Sequence, residues 1–153
     1  MRSEAAGPTQ VNLWAFAAVA WVGVIFFSST RLAFEWCEEV FAWVSELLFG
    51  RKAMLQPSFS VFHLLADKGF HLALFLILAV LLWKALPPGP FRVGRILVLG
   101  LLVGSCSEFL QRFFPGRDPA LRDVLINVGG TALGVAASVL AAKRSRPPAQ
   151  RPA

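Results

Sequence analysis

Four apolar runs constrain this chain more than any other feature: Val11 to Phe27, Gly69 to Leu86, Val93 to Ser107 and Val124 to Ala142. Each comes close to the roughly 20 residues needed to cross the hydrocarbon of a bilayer as a helix. The runs are continuous and lack the alternation of a transmembrane barrel, so strands are not expected. With 56% hydrophobic and 16% charged residues over 153 positions and a mean hydropathy of +0.62, the composition does not suit a small soluble domain. The expected fold is all-α, an integral membrane bundle of four transmembrane helices. One domain covers residues 1–142, and residues 143–153 form a basic, Pro-rich cytoplasmic tail.

The first run is short and N-terminal, as in a signal peptide, and contains the small-residue triplet Ala18-Val19-Ala20. Cleavage there would leave part of the apolar run behind, and Glu4 offsets Arg2 ahead of it, so a retained helix is expected. No lipid-attachment pattern is evident. The net charge of +6 comes largely from where the cations sit. Lys143, Arg144, Arg146 and Arg151 follow the last run directly, which reads as a topology signal and a contact with anionic headgroups. No folded basic module accompanies them, so nucleic acid is not an expected partner. Cys37 and Cys106 are too few for a disulfide framework and are not expected to pair.

Charge density beside the runs sets the expected orientation. Lys84, Arg92 and Arg95 crowd the second connection and the tail adds four more cations, whereas the first connection mixes its cations with Glu35, Glu38, Glu39 and Glu46. The positive-inside rule then predicts a multi-pass protein of the cytoplasmic membrane with both termini inside.

An up-down path of four helices brings one end of each to the same face, whichever way the bundle is oriented. Ser28 and Ser29 close the first run, Lys68 and His71 open the second, Glu108 and Gln111 end the third, and Asp123 and Asn127 open the fourth. Ionisable groups next to membrane spans are costly beside lipid and are retained mainly where they face one another, water or a ligand. Lys68, His71 and Phe75 stand at i, i+3 and i+7; Glu108 and Gln111 at i and i+3; Asp123 and Asn127 at i and i+4, running on into Gly130 and Gly134. Those glycines, with Gly100 and Gly104, read as close-packing positions. Pro115-Gly116 stops the third helix, because proline lacks an amide donor and disfavours helix in the preceding residue.

Between the first two runs, Phe34, Cys37, Val40, Phe41, Val44, Leu47 and Leu48 recur at helical spacing, with Glu35, Glu38, Glu39 and Glu46 on the other side. This predicts an amphipathic helix in the first outer segment, placed in the interface or packed as a lid over the polar layer. His63 reads as a residue of a loop or of a helix start rather than a ligand. The five tryptophans and fourteen phenylalanines read as lipid-facing, packing or interface-anchoring groups without a cofactor signal.

Three blocks then stand out: Lys68-x-x-His71-x-x-x-Phe75, Ser107-Glu108-x-x-Gln111-x-x-x-Pro115-x-Arg117, and Asp123-x-x-x-Asn127-x-x-Gly130-x-x-x-Gly134. With Ser28-Ser29 they resemble the VanZ-like family of small bacterial membrane proteins, named for an accessory protein that lowers susceptibility to the glycopeptide teicoplanin. The resemblance runs from about residue 28 to 134. It implies the bundle topology, the polar cluster, a place in the cell envelope and a link to glycopeptide resistance. The long first outer segment and the absence of tyrosine depart from the family's pattern.

The cluster supports two kinds of chemistry. Lys68, Gln111, Arg117 and Asn127 are candidate substrate-binding residues: arginine offers a planar fork to phosphate or carboxylate and lysine a point charge. His71, Glu108 and Asp123 are candidate acid-base residues, and their side chains are also of types that ligate a divalent ion. The first hypothesis is binding or processing of a lipid-linked phosphate or cell-envelope precursor reached sideways from the membrane. No nucleophile motif, close His-x-x-x-His pair or phosphate-cradling glycine loop points to a particular reaction or cofactor. The alternative is a non-catalytic accessory or scaffold protein whose ion pairs, Lys68 with Asp123 and Glu108 with Arg117, hold the helices in register. A channel or transporter fits least, because the middles of the runs are apolar.

Overall fold

The computed structural model describes residues 12–51, 55, 57–115 and 119–145. Arg117, with which Glu108 was expected to pair, and most of the basic tail lie outside the described residues. The described chain is all helical: α1 (Leu13–Ser28), α2 (Arg31–Phe49), α3 (Pro57–Ala85), α4 (Arg92–Gln111) and α5 (Leu121–Arg144). Segments within α3, α4 and α5 are each long and apolar enough to cross a membrane. The sixteen-residue α1 reaches only about 24 Å at 1.5 Å per residue, and it meets that length together with α2, across a bend of 79°. Among the described residues the bundle thus has three candidate spans, or four when the bent pair is counted as one.

Local chemistry explains the boundaries. Asn12 caps α1 by accepting from the Ala15 amide, and its Nδ2 donates to the Ala85 carbonyl at 2.9 Å. That bond ties the start of α1 to the end of α3 and makes the two helices antiparallel neighbours. Thr30 caps α2, and Gly50, with φ at +77°, ends it in a backbone conformation that a side chain would oppose. Pro57 occupies the first position of α3, where its missing amide costs nothing. Pro87 and Pro88 follow the end of α3.

α3 begins well before the apolar run that marks it in the sequence, at Pro57 rather than near Gly69. Hydropathy reports where lipid can touch a helix, whereas the helix itself continues as long as its amides are paired and its side chains packed. The added turns pack on α2: Phe41 lies 6.0 Å from Phe59 and 5.8 Å from Phe62 between ring centres, and Phe49 stands edge-on to Phe62. Lys68 and His71 therefore sit inside a helix instead of opening one.

The core lies between α3 and its neighbours. Ile25, Leu74, Phe75 and Leu78 form one buried cluster, closed by Trp21, whose indole donates to the Leu74 carbonyl at 2.9 Å. Ala79, Ile96 and Val135 form a second. Glycines set the helix spacing, as expected from the sequence. A Cβ at Gly130 or Gly134 would overlap the Leu72 or Leu76 carbonyl oxygen of α3, and one at Gly100 would overlap Thr131 of α5. The hydroxyls of Thr131 and Ser138 are satisfied within α5 by the carbonyls four residues earlier. Outside, Phe16, Val19, Val98, Leu102, Leu125, Leu133 and Leu140 are exposed, while the buried set includes Glu108, Gln111, Asp123 and Asn127. Polar inside and apolar outside is the arrangement a bilayer imposes.

Candidate functional site

Four helices deliver polar side chains to one end of the bundle, as the up-down path requires. Ser29, at the end of α1, donates to the Ile25 carbonyl and pairs with the Ser107 hydroxyl of α4 at 3.2 Å. One turn of α4 carries Ser107, Glu108 and Gln111, all buried. Glu108 accepts from Gln111 Nε2 at 3.4 Å and from the Ala120 amide at 3.3 Å. The second contact satisfies a backbone donor just ahead of α5 and places a negative charge near the positive end of its dipole.

Lys68 of α3 reaches Asp123 of α5 at 2.9 Å and its own neighbour Asp67 at 2.8 Å. A single cation between two carboxylates leaves the trio with a net negative charge. Asp123 Oδ1 makes no hydrogen bond among the described residues and lies 3.5 Å from the exposed Arg122 Nε, a weak surface pairing. Asn127, one turn deeper on α5, is fully buried beside Gly104 and Phe75, and neither its amide nitrogen nor its oxygen has a hydrogen-bond partner among the described residues.

His71 leaves this layer for a different neighbourhood. Its Nε2 lies 4.0 Å from Asp67 Oδ1, and both residues line a cavity of about 360 Å³ between α2 and α3. Phe34, Val40, Phe41 and Val44 of α2 and Phe70 of α3 form its apolar wall. Ser28, Glu38, His63, Asp67 and His71 supply the polar groups. His63 pairs with Glu38 at 3.0 Å and stands edge-on to Phe41. Apolar walls with a few convergent polar groups are what small-molecule sites share.

The expected site residues thus divide. Lys68, Glu108, Gln111, Asp123 and Asn127 belong to the buried layer between α3, α4 and α5; His71 faces the α2–α3 cavity; Arg117 is outside the described residues. Among the described residues no three His, Cys, Asp or Glu side chains converge to hold a metal ion, so Glu108, Asp123 and His71 do not form such a group. Cys37, which lines the cavity, and Cys106 are both free thiols.

Three cavity residues escaped the sequence reading. His63 is neither a loop residue nor at a helix start but lies within α3, and Glu38 turns toward the cavity instead of standing with the other acids of α2. Asp67 drew no attention. The signal was present: His63, Asp67 and His71 stand at i, i+4 and i+8, one face of a helix, once α3 is known to start at Pro57.

A family model described as VanZ/LLP1 matches residues 14–142. No curated protein and no solved structure matches the chain.

Proposed function

The chain belongs to the VanZ/LLP1 family, and on that premise we propose that this membrane protein binds a lipid-linked cell-envelope precursor at the outer face of the cytoplasmic membrane. The supporting observation is the α2–α3 cavity, whose aromatic wall suits an acyl or polyprenyl chain while its polar groups suit the head of the same molecule. The charge of those groups narrows the head. Lys68 is already held by two carboxylates, so a bare phosphate would compete with Asp67 and Asp123 for it. Glu38 and Asp67 instead accept hydrogen bonds from hydroxyl or amide groups, such as those of a lipid-linked saccharide, and His63 and His71 donate or accept beside them. α2 is the lid of this site, and both termini face the cytoplasm.

The test is binding and turnover of undecaprenyl phosphate and of an undecaprenyl-linked saccharide by protein purified in detergent. Wild type is compared with His71→Gln, Asp67→Asn and Glu108→Gln, each with its thermal stability measured. The proposal expects saccharide binding that falls in the first two variants at unchanged stability. Turnover that vanishes with His71→Gln would add catalysis to binding.

A second reading has its own support. Each charged group of the buried layer, Lys68, Glu108 and Asp123, is engaged within the protein, which is how a purely structural cluster behaves. Absence of binding to either lipid, with Glu108→Gln lowering stability alone, would leave an accessory scaffold.

A further inference from the structure

The opposite end of the bundle is built differently. Lys84, Arg92, Arg95, Lys143 and Arg144 gather there, where the connection between α3 and α4 and the last turn of α5 meet. Every described carboxylate (Glu35, Glu38, Glu39, Glu46, Asp67, Glu108, Asp123) lies toward the other end or on α2. Lys84 and Arg92 make no ion pair among the described residues. They rest on aromatic faces: Lys84 Nζ is 4.0 Å from the Trp14 ring centre, and the Arg92 guanidinium is 4.1 Å from that of Trp83. Arg92 Nε is shielded from solvent and has no hydrogen-bond acceptor among the described residues.

These four side chains line a groove of about 680 Å³ whose floor is the small-residue face of α5, including Ala137, Ser138 and Ala141. α1, α3, α4 and α5 all contribute to it. Tryptophan faces hold the cations in place without neutralising them, because the ring quadrupole attracts a cation but supplies no countercharge. A positively charged mouth above a smooth apolar floor, at the depth where a helix leaves the membrane, matches one class of molecule in both of its parts.

We propose that this groove binds an anionic glycerophospholipid, its phosphodiester between Lys84 and Arg92 and its glycerol and upper acyl carbons along α5. The arginine fork takes phosphate oxygens and the lysine adds a point charge. Basic pockets between helices on the inner side of membrane proteins recognise headgroups in this way. The site is separate from the α2–α3 cavity and does not depend on what that cavity binds.

Native mass spectrometry of the detergent-purified protein, titrated with dioleoyl phosphatidylglycerol or dioleoyl phosphatidylcholine, tests it. The expected result is a preference of about tenfold for phosphatidylglycerol, falling about fivefold for each charge removed in Lys84→Gln and Arg92→Gln, with phosphatidylcholine unchanged. Arg92→Lys, which keeps the charge and loses the fork, should recover part of the preference. Ala141→Phe fills the groove from an exposed position and should abolish the preference with every charge in place, which decides the matter if the charge variants fail to fold. Equal binding of the two lipids, or phosphatidylglycerol binding untouched by Ala141→Phe, would overturn the proposal. So would displacement of the lipid by millimolar inorganic phosphate, which would mean a free-anion site.

Discussion

Lys68 on α3 and Asp123 on α5 stand 2.9 Å apart, joining two helices whose backbones are already in contact through Gly130 and Gly134. The ion pair therefore sits at the end of a close helix interface, where losing Lys68 strands the buried Asp123.

Replacing Lys68 by Met is expected to lower stability by about 2 kcal/mol, less than the 3–5 kcal/mol typical of fully buried pairs because Lys68 is partly accessible. The double variant Lys68→Met/Asp123→Leu should recover part of that loss, since the buried Asp123 carboxylate is then gone and Asp67, which also loses Lys68, is a third exposed and keeps contact with solvent. Thermal melts in one detergent, read as a double-mutant cycle, measure the coupling. Additive losses would mean that the pair does not hold the helices.

Adjacent glycines on α5 make opposite demands. Gly130→Ala should destabilise by about 1–3 kcal/mol, because its Cβ meets the Leu72 carbonyl and the helices must separate. Gly129→Ala meets nothing within 4 Å and should be neutral or stabilising by up to about 1 kcal/mol through helix propensity. The same melts distinguish them, and equal effects would contradict the packing described.

The Asn127 amide has no hydrogen-bond partner among the described residues, a burden of about 1–3 kcal/mol for such a buried group. The near-isosteric Asn127→Leu should therefore keep or raise the melting temperature. If it also abolishes lipid binding, the amide serves the ligand rather than the fold. A clear drop in stability would show that the amide is satisfied in the folded protein.

Cys37 lines the α2–α3 cavity and Cys106 does not. A saturating lipid-linked saccharide should slow maleimide labelling of Cys37 several-fold and leave Cys106 unchanged, read by peptide mass spectrometry. In Asp67→Asn and His71→Gln the protection should disappear. Protection of both cysteines alike would mean micelle shielding rather than a site.

Orientation can be read from the same thiol. In a Cys106→Ser background, a membrane-impermeant maleimide applied to spheroplasts should label Cys37 from outside. With Cys37 also removed, a cysteine placed at Ser145 should react only after the membrane is opened. The reverse pattern would put both termini outside and move the proposed lipid site to the inner leaflet.

Much of the site was legible because helical spacing is local. Lys68–Asp123 follows from an up-down path plus one cation and one anion at the same end, and Gly130 and Gly134 announce a close approach on their own. The division of the site was not legible. His71 shares a face with Lys68 by spacing, yet the two side chains serve different neighbours, His71 the cavity and Lys68 the buried layer. That choice depends on α2, which bends by 79° from α1 and meets the first turns of α3 through side chains, and no residue pattern in α3 encodes where α2 lies.

The order of the apolar runs, the stop signals between them and the periodicity of the polar residues determined the helices, their antiparallel path and the gathering of acids, bases and amides at one end. These are properties of short stretches, governed by hydrogen bonding within a helix and by the cost of polar groups in lipid. Only the tertiary structure decided which groups are spent on each other and which face a cavity, and that Lys84 and Arg92 at the far end rest on tryptophans without countercharges among the described residues. Pairing is settled over a few ångströms between helices distant in sequence, and helix packing alone fixes distances on that scale.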